Sequence, residues 1–549
     1  MTGPRGAAKT VAKAAALIAV LTVLARLVGF ARNIVFSNTV GQTCLGQTYQ
    51  TTNTIPNIVF EIVAGGALAA VVVPLISTYV AKDDHEKASQ TASALLTWTI
   101  VTLVPIAAIM ALAARPLTIA ILGSAPCSEA VEAGTTMLRV FAPQIPLYGI
   151  GIVLTGVLQA YKRFGGPALA PLLSSLVVIA AYVTYAVVAG VGTDLGEATD
   201  GEQLILSLGT TLGVVALALS LLVPLRKTPV RLRPTFGFPP GQARRAAAMV
   251  GAGIAGLVAQ QLFIAVTLVL SNQPDVPRGA INVFMYAQTI YFLPWAVLAV
   301  PIATSVFPRL AETASTRDHA GYNRLLTGAH TSITALSGIA TAALIAAATE
   351  IAVVFVSRSP GEPSVGALTD GIIGFSVGLV GYGAFALHSR ALFAIGKARL
   401  NAIAAGLGWG VAIAGAFLLS SMLAPEDRVA ALSWANAAGA SVLGALLVIM
   451  TAWCAGLNVL RPLASLLASA AVGTVVGFGV RSITVVEALQ VDASTGIMTA
   501  LAIGALRGIL AAVIAAAVLL VTPGLGLRRA VREVRSRQSA GKTSQEETP

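Results

Sequence analysis

The sequence predicts an all-α polytopic membrane protein of 14 transmembrane helices: two six-helix lobes related by a pseudo-twofold, then two C-terminal helices. Three observations predict it. Hydrophobic residues make up 56% of the 549 positions and charged residues only 11%. Apolar runs such as 95–113, 171–191 and 502–521 recur along the chain. The same punctuation returns after a displacement of 234 residues. A spanning helix needs roughly 20 mostly apolar residues, so the runs read as membrane spans and not as buried cores.

The first span, 12–36, follows Lys9 and Lys13 like the start of a secretory signal, but no small-residue cleavage site leads from it into a soluble chain. Polar punctuation then separates spans at 54–80, 89–113, 135–160, 168–191 and 203–225, which complete the first lobe. A second group follows at 244–271, 280–308, 325–357, 370–395, 400–422 and 429–455, and the last two spans are 460–483 and 499–522. The corresponding domains are an N-lobe at 1–225, a basic linker at 226–245, a C-lobe at 246–456, the two extra spans at 457–526 and a basic tail at 527–549.

Loop charge orients these spans, because Lys and Arg accumulate in short cytoplasmic loops. The loop after the sixth span carries Arg226, Lys227, Arg231, Arg233, Arg244 and Arg245 without an acid, whereas the loop before it carries Asp194, Glu197, Asp200 and Glu202 without a base. Residues 161–166, 396–400 and the tail arginines Arg528, Arg529, Arg532, Arg535 and Arg537 join the basic side, which makes both termini cytoplasmic. The net charge of +12 is then mostly topology, and it argues for anionic lipid headgroups at that face and against nucleic acid. The tail also offers Ser539, Thr543 and Ser544 as phosphorylation candidates.

The internal repeat aligns Ser37 and Asn38 with Ser271 and Asn272, Pro74 with Pro308, and the loop around Lys162 with that around Gly396 and Lys397. Six spans is an even number, so both lobes start from the same side and a site between them suits alternating access.

Several constellations carry less than they suggest. GAGIAG at 251–256 matches a nucleotide-binding pattern, but that pattern needs a preceding strand, and within a span its glycines serve close helix packing. His85, His319, His330 and His388 show no ligand spacing and sit mostly near loop edges. No metal site, cofactor motif or nucleophile triad emerges, so the chain is not expected to be an enzyme. Cys44 and Cys127 both fall in outward loops, where a disulfide is permitted; two small, partly buried thiols are the other reading.

ARLVGFARN, TIPNIVFEIVAGGALAAVVVP (54–74), LRVFAPQIPLYGIGIVLTGVLQAYKRFGGPALAP (138–171) and RALFAIGKAR (390–399) resemble the MurJ (MviN) family of lipid II flippases, with IVFEIVAGG closest to actinobacterial members. The resemblance implies the fold of the multidrug/oligosaccharidyl-lipid/polysaccharide exporter superfamily, with a central cavity and a groove for the polyprenyl tail beside the last two spans. It implies a flippase that moves lipid II to the outer leaflet of the bacterial inner membrane, with cell-wall synthesis or division proteins as candidate partners. Another polyprenyl-linked glycan, a drug, or a transport-silent scaffold role are the alternatives. Placed on this sequence, Arg26 and Arg32 match the family's span-one arginines. The chain departs from better-known members at Phe60 and Glu61, which replace an arginine pair, at Gln288 and Thr289, which replace Asp-Arg, and at Gln47, which replaces an acid. Spans seven and eleven hold no Asp or Glu, so sodium coupling is not expected.

The candidate substrate-binding residues are thus Arg26, Arg32, Asn57, Glu61 and Gln288. Arg26 and Arg32 lie about 9 Å apart along a helix and about 120° apart around it. An arginine in a span costs at least ~2.5–3.5 kcal/mol and needs a partner or a wet cavity. Glu61 is the expected partner for one of them, Glu350 lying in the other lobe; one acid for two arginines leaves about one positive charge for a diphosphate.

Overall fold

The computed structural model describes residues 4–62, 69–240, 242–362, 364–483, 491 and 495–522. The tail candidates Ser539, Thr543 and Ser544 and the tail arginines lie outside the described residues. Those described are helical almost throughout, with one isolated bridge between Gln42 and Gly361. In hydrocarbon the backbone must satisfy its own hydrogen bonds, and apolar helices do so within one segment.

In chain order the helices are α1 (Pro4–Thr39), α2 (Cys44–Phe60), α3 (Ala69–Val80), α4 (His85–Leu112), α5 (Ala114–Leu122), α6 (Ala130–Phe141), α7 (Gln144–Ala160), α8 (Gly165–Val188), α9 (Asp200–Ser220), α10 (Leu222–Leu225) and α11 (Gln242–Ser271). They continue as α12 (Ala280–Pro294), α13 (Val300–Ser315), α14 (His319–Ala346), α15 (Ala348–Val356), α16 (Val365–Val377), α17 (Leu379–Ala394), α18 (Ala398–Met422), α19 (Arg428–Cys454), α20 (Leu460–Arg481) and α21 (Ile497–Val521). Large apolar side chains such as Val187 (80% exposed) and Met498 (79%) point outward from these helices, a surface that suits lipid tails and not water.

The expected count of 14 spans is not reached by length and composition alone. Among the described residues 11 helices are long and apolar enough to cross a membrane, or 12 if α16 and α17, bent by 42°, form one span. Of the expected second span, 54–80, the described residues fall in the end of α2 and in α3, and Val71–Val80 and Gly256–Ser271 are shorter apolar helices. The GAGIAG stretch lies inside α11, where no strand precedes it.

The repeat is visible in the helices themselves. A displacement of 234 residues carries α4 onto α14 and α5 onto α15, end to end. It also carries Asp84, which caps α4 by accepting from Lys87 N, onto Asp318, which caps α14 by accepting from Gly321 N. Asp83 and Arg317, at the same displacement, both take a left-handed φ of 58° to turn the chain into that cap. Asn38 Nδ2 donates to Ile34 O and Asn272 Nδ2 to Leu268 O, at 2.8 and 2.7 Å, one register apart.

The described residues divide into two compact units, drawn from Met1–Asn282 with Arg358–Pro363 and from Val283–Ser357 with Ser364–Pro549. In the first, α3, α4 and α7 bury Val72, Leu75, Ile76, Leu95, Val153 and Leu158 against one another. Gly156 makes this approach possible, since a Cβ there would lie 2.4 Å from Val72 Cγ1. A second centre is the buried Tyr49 hydroxyl, 2.8 Å from that of Tyr182 and 2.6 Å from Thr210 Oγ1, with the Phe36 and Phe141 rings packed on Tyr49. It joins α1, α2, α6, α8 and α9. Gln47 closes the unit: its Nε2 donates to Asn272 Oδ1 and its Oε1 accepts from Gly279 N, both at 2.8 Å. Cys44 and Cys127 are joined by a disulfide with their Cα atoms 5.6 Å apart, which ties the start of α2 to the turn before α6.

The linker after α10 runs extended along α4. Its amides at Arg231, Arg233 and Thr235 donate to Ser89, Ser93 and Thr97 at 3.2, 3.0 and 3.1 Å. The match is geometric: two residues of extended chain advance about 6.6 Å, and four residues of helix about 6.0 Å. Val230, between α10 and this strap, is buried in the α3–α4–α7 core.

Two outcomes test this unit. Replacing Ser89, Ser93 and Thr97 together by Ala removes three acceptors worth about 1 kcal/mol each, and trypsin should then cut after Arg231 at least ~tenfold faster than in the parent. Peptide mapping without reductant should recover Cys44 and Cys127 in one linked fragment; alkylation at both positions would contradict the bridge.

Candidate functional site

Four of the five sequence-predicted residues share the first unit. Arg26 is exposed and Arg32 half-buried on α1, whose Gly29 lies against Ser175 of α8. Asn57 sits near the end of α2, and Glu61 follows one turn later at its C-cap, exposed. Asn53, Asn57 and Glu61 are four residues apart and so line one face of the helix. Within that stripe Asn57 Nδ2 donates to Asn53 O at 2.9 Å. The fifth residue, Gln288, is half-buried on α12 of the second unit.

The expected ion pair between Glu61 and a span-one arginine is not formed. Among the described residues neither Arg26 nor Arg32 comes within 4.0 Å of a carboxylate, and the three ion pairs present are His85–Asp83, Lys87–Asp84 and Arg507–Glu350. Tyr148 of α7 lies within electrostatic range of both Glu61 and Arg32, and its ring centroid is 4.5 Å from that of Phe60. Arg32 also reaches the field of Tyr49. Tyr148 lies within the stretch 138–171 that carries the family resemblance, but a tyrosine in an apolar span gives no signal of its own.

Glu350 already has a partner within its own unit. Its Oε1 accepts from Arg507 Nη1 of α21, and the neighbouring Thr349 hydroxyl accepts from Arg481 Nη1 of α20 at 2.7 Å. Glu350 is buried, at 1% side-chain exposure, and Arg507 is partly buried, at 12%. This pair fastens the last helix to α15.

His85 and His319 begin α4 and α14, at loop edges as expected, and the other two histidines depart from expectation. His330 of α14 and His388 of α17 are buried, not at loop edges, with His330 Nδ1 and His388 Nε2 2.9 Å apart. His330 Nε2 lies 3.0 Å from Pro462 O of α20. A carbonyl only accepts, so His330 Nε2 carries the proton, and in the neutral pair His388 Nε2 donates to His330 Nδ1. The two rings form a directed chain that ends on α20. Among the described residues no group of three or more His, Cys, Asp or Glu forms a candidate metal site.

Among the described residues the first unit thus carries Arg26 and Arg32 on a spanning helix without a carboxylate within 4.0 Å, and Asn53, Asn57 and Glu61 along one face of α2. The fold is that of a transporter. Solved structures described as "Lipid II flippase MurJ, inward closed conformation" (TM-score 0.70, 18% identity, 92% of this chain and 98% of that one) and as the inward-facing conformation of a multidrug resistance MATE family transporter (TM-score 0.65, 16% identity, 80% and 98%) share it. The sequence profile of the family described as "Lipid II flippase MurJ" matches residues 36–503. The chain belongs to that family, which is one of transporters and not of enzymes. Curated relatives include the lipid II flippase MurJ of Burkholderia cenocepacia, 27% identical over 317 residues, and the probable lipid II flippase MurJ of Vibrio cholerae, 24% identical over 315. The matches take in 56% and 55% of this chain and span 58% and 57% of those relatives.

The buried pair makes a prediction of its own. Arg507→Met alone strands Glu350 and should destabilise the protein by about 3–5 kcal/mol, read as lost monodisperse yield in detergent. Glu350→Leu combined with Arg507→Met should recover most of it; a double variant as unstable as the single one would contradict a self-contained pair.

Proposed function

We propose that this chain is a lipid II flippase. It moves the undecaprenyl-diphosphate-linked peptidoglycan precursor from the inner to the outer leaflet of the bacterial plasma membrane by alternating access, with both termini cytoplasmic. The observation that carries the reading is the pair Arg26 and Arg32: two guanidinium groups on a spanning helix without a carboxylate within 4.0 Å among the described residues. Such charges are too costly to keep in hydrocarbon without a use. A diphosphate is the anion they suit, since each planar fork binds phosphate oxygens bidentately and stays charged at any physiological pH.

The other roles follow from chemistry. Asn57 and Gln288 supply amides that both donate and accept, and Glu61 only accepts when ionised. The lobes at 1–225 and 246–456 would rock about the site, the basic linker at 226–245 would join them, and 457–526 would take the polyprenyl tail. Anionic lipids at the basic face and cell-wall synthesis or division proteins are the further partners.

Depletion of the protein in its native cell should leave lipid II confined to the inner leaflet. In that strain Arg26→Ala and Arg32→Ala should each fail to complement at normal membrane abundance, and the Lys variants should restore little because they lack the fork. Normal lipid II translocation after depletion would overturn the reading, in favour of another polyprenyl-linked cargo, a drug, or a scaffold for cell-wall enzymes. A well-expressed, fully active Ala variant would remove that arginine from the diphosphate site.

A further inference from the structure

We infer that Phe60 and Tyr148, with Glu61 beside them, form a sugar-binding platform that takes a pyranose ring of the cargo headgroup while the arginines take the diphosphate. This rests on the lipid II reading and adds to it a division of the site.

The platform stands on three observations. The Phe60 and Tyr148 rings lie 4.5 Å apart between centroids and are inclined by 36°. Neither residue is fully buried. Glu61, next to Phe60 in sequence, is exposed and has no ion-pair partner among the described residues.

A carboxylate in that position cannot hold the diphosphate. Both groups are anionic and both only accept hydrogen bonds, so contact between them is repulsive. Glu61 therefore needs donors. On a lipid-linked disaccharide peptide the donors are sugar hydroxyls and amide N–H groups, away from the phosphates.

The rings answer the other half of the sugar. A pyranose in its chair form carries its hydroxyls around the rim and its C–H bonds on the faces. The negative face of an aromatic ring attracts that positively polarised C–H surface. Asn57, one turn before Glu61, adds an amide that can donate to or accept from the rim. Arg32 and Glu61 both lie within electrostatic range of Tyr148. A headgroup with its phosphates toward Arg32 and its sugar over Tyr148 meets complementary chemistry at both ends.

The test compares two ligands with the same tail: lipid II, and undecaprenyl diphosphate, which lacks sugar and peptide. Affinity for each is measured on the purified full chain in detergent, with thermal melting as the check of folding. Phe60→Leu and Tyr148→Leu should weaken lipid II by about tenfold, the scale of one lost aromatic contact, and leave undecaprenyl diphosphate within about twofold. Glu61→Gln should weaken lipid II alone, and Arg32→Ala should weaken both ligands. The platform is overturned if the aromatic variants leave lipid II binding unchanged, or weaken both ligands alike. If Tyr148→Leu does not fold, Phe60→Leu and Glu61→Gln decide the same question. A parent protein that binds neither ligand would instead overturn the lipid II reading itself, and one that binds both equally would keep the diphosphate site and remove the platform.

Discussion

An amide, hydroxyl or charge left without a partner in hydrocarbon costs several kcal/mol, and the whole molecule is organised around avoiding that cost. Helices settle the backbone. Serine and threonine side chains then settle themselves by donating four residues back to a carbonyl of their own helix, as Thr99 does to Leu95 O, Thr267 to Phe263 O, Ser376 to Ile372 O and Thr451 to Leu447 O. Once its proton is placed, each hydroxyl still has an oxygen free to accept. The strap along α4 uses that capacity: Thr97 donates to Ser93 O and accepts from Thr235 N at once.

Charges obey the same constraint in two opposite ways. Glu350 and Arg507 are neutralised inside the protein, and a pair so enclosed can serve only to fasten α21. Arg26, Arg32 and Glu61 are left open, although Glu61 and Arg32 both act on the same tyrosine. Had Glu61 closed on an arginine, the unit would present a dipole with little to offer a ligand. Held apart, the charges leave a cationic and an anionic group each without an ion-pair partner among the described residues, as the proposed division of the site requires. Separation of charge, more than its net value, therefore supports a site with two chemically distinct ends.

How far this was legible follows from what kind of information each feature needs. Span positions depend on local hydropathy, and the apolar runs read from the sequence lie on α4, α8, α9 and α18 to α21 within a few residues. The displacement of 234, read from pairs such as Asn38 and Asn272, depends on two local segments being alike, and their shared i−4 side-chain bond is the physical content of that likeness. Features that depend on which helix lies beside which were not legible. Glu350 meets Arg507 across 157 residues, and His330 meets His388 across 58, without any spacing that a single chain displays. The arginines were legible because charge in a span is conspicuous; Tyr148 was not, because tyrosine in a span is ordinary.

The repeat also shows what the second unit had to change to carry two more helices. In the first unit the chain leaving α10 crosses the polar face of α4 at Ser89, Ser93 and Thr97. The same displacement carries those residues to Asn323, Thr327 and Thr331 on α14, and there Asn323 Nδ2 donates to Ala455 O as the chain leaves α19. From that point the two units diverge, because α20 packs along α14 where the first unit has only a strap. The positions that answer His330 and His388 in the first unit are Leu96 and Leu154, both in its apolar core. Apolar packing suffices there, since no further helix presents a carbonyl to that surface. In the second unit Pro462, in the first turn of α20, presents one. A histidine chain two rings long reaches that carbonyl from α17 through α14. The two histidines, where the first unit has two leucines, thus add a polar contact from α14 to α20 beside those of Ser465 with Thr334 and of Arg481 with Thr349, while α21 has its own through Arg507 and Glu350.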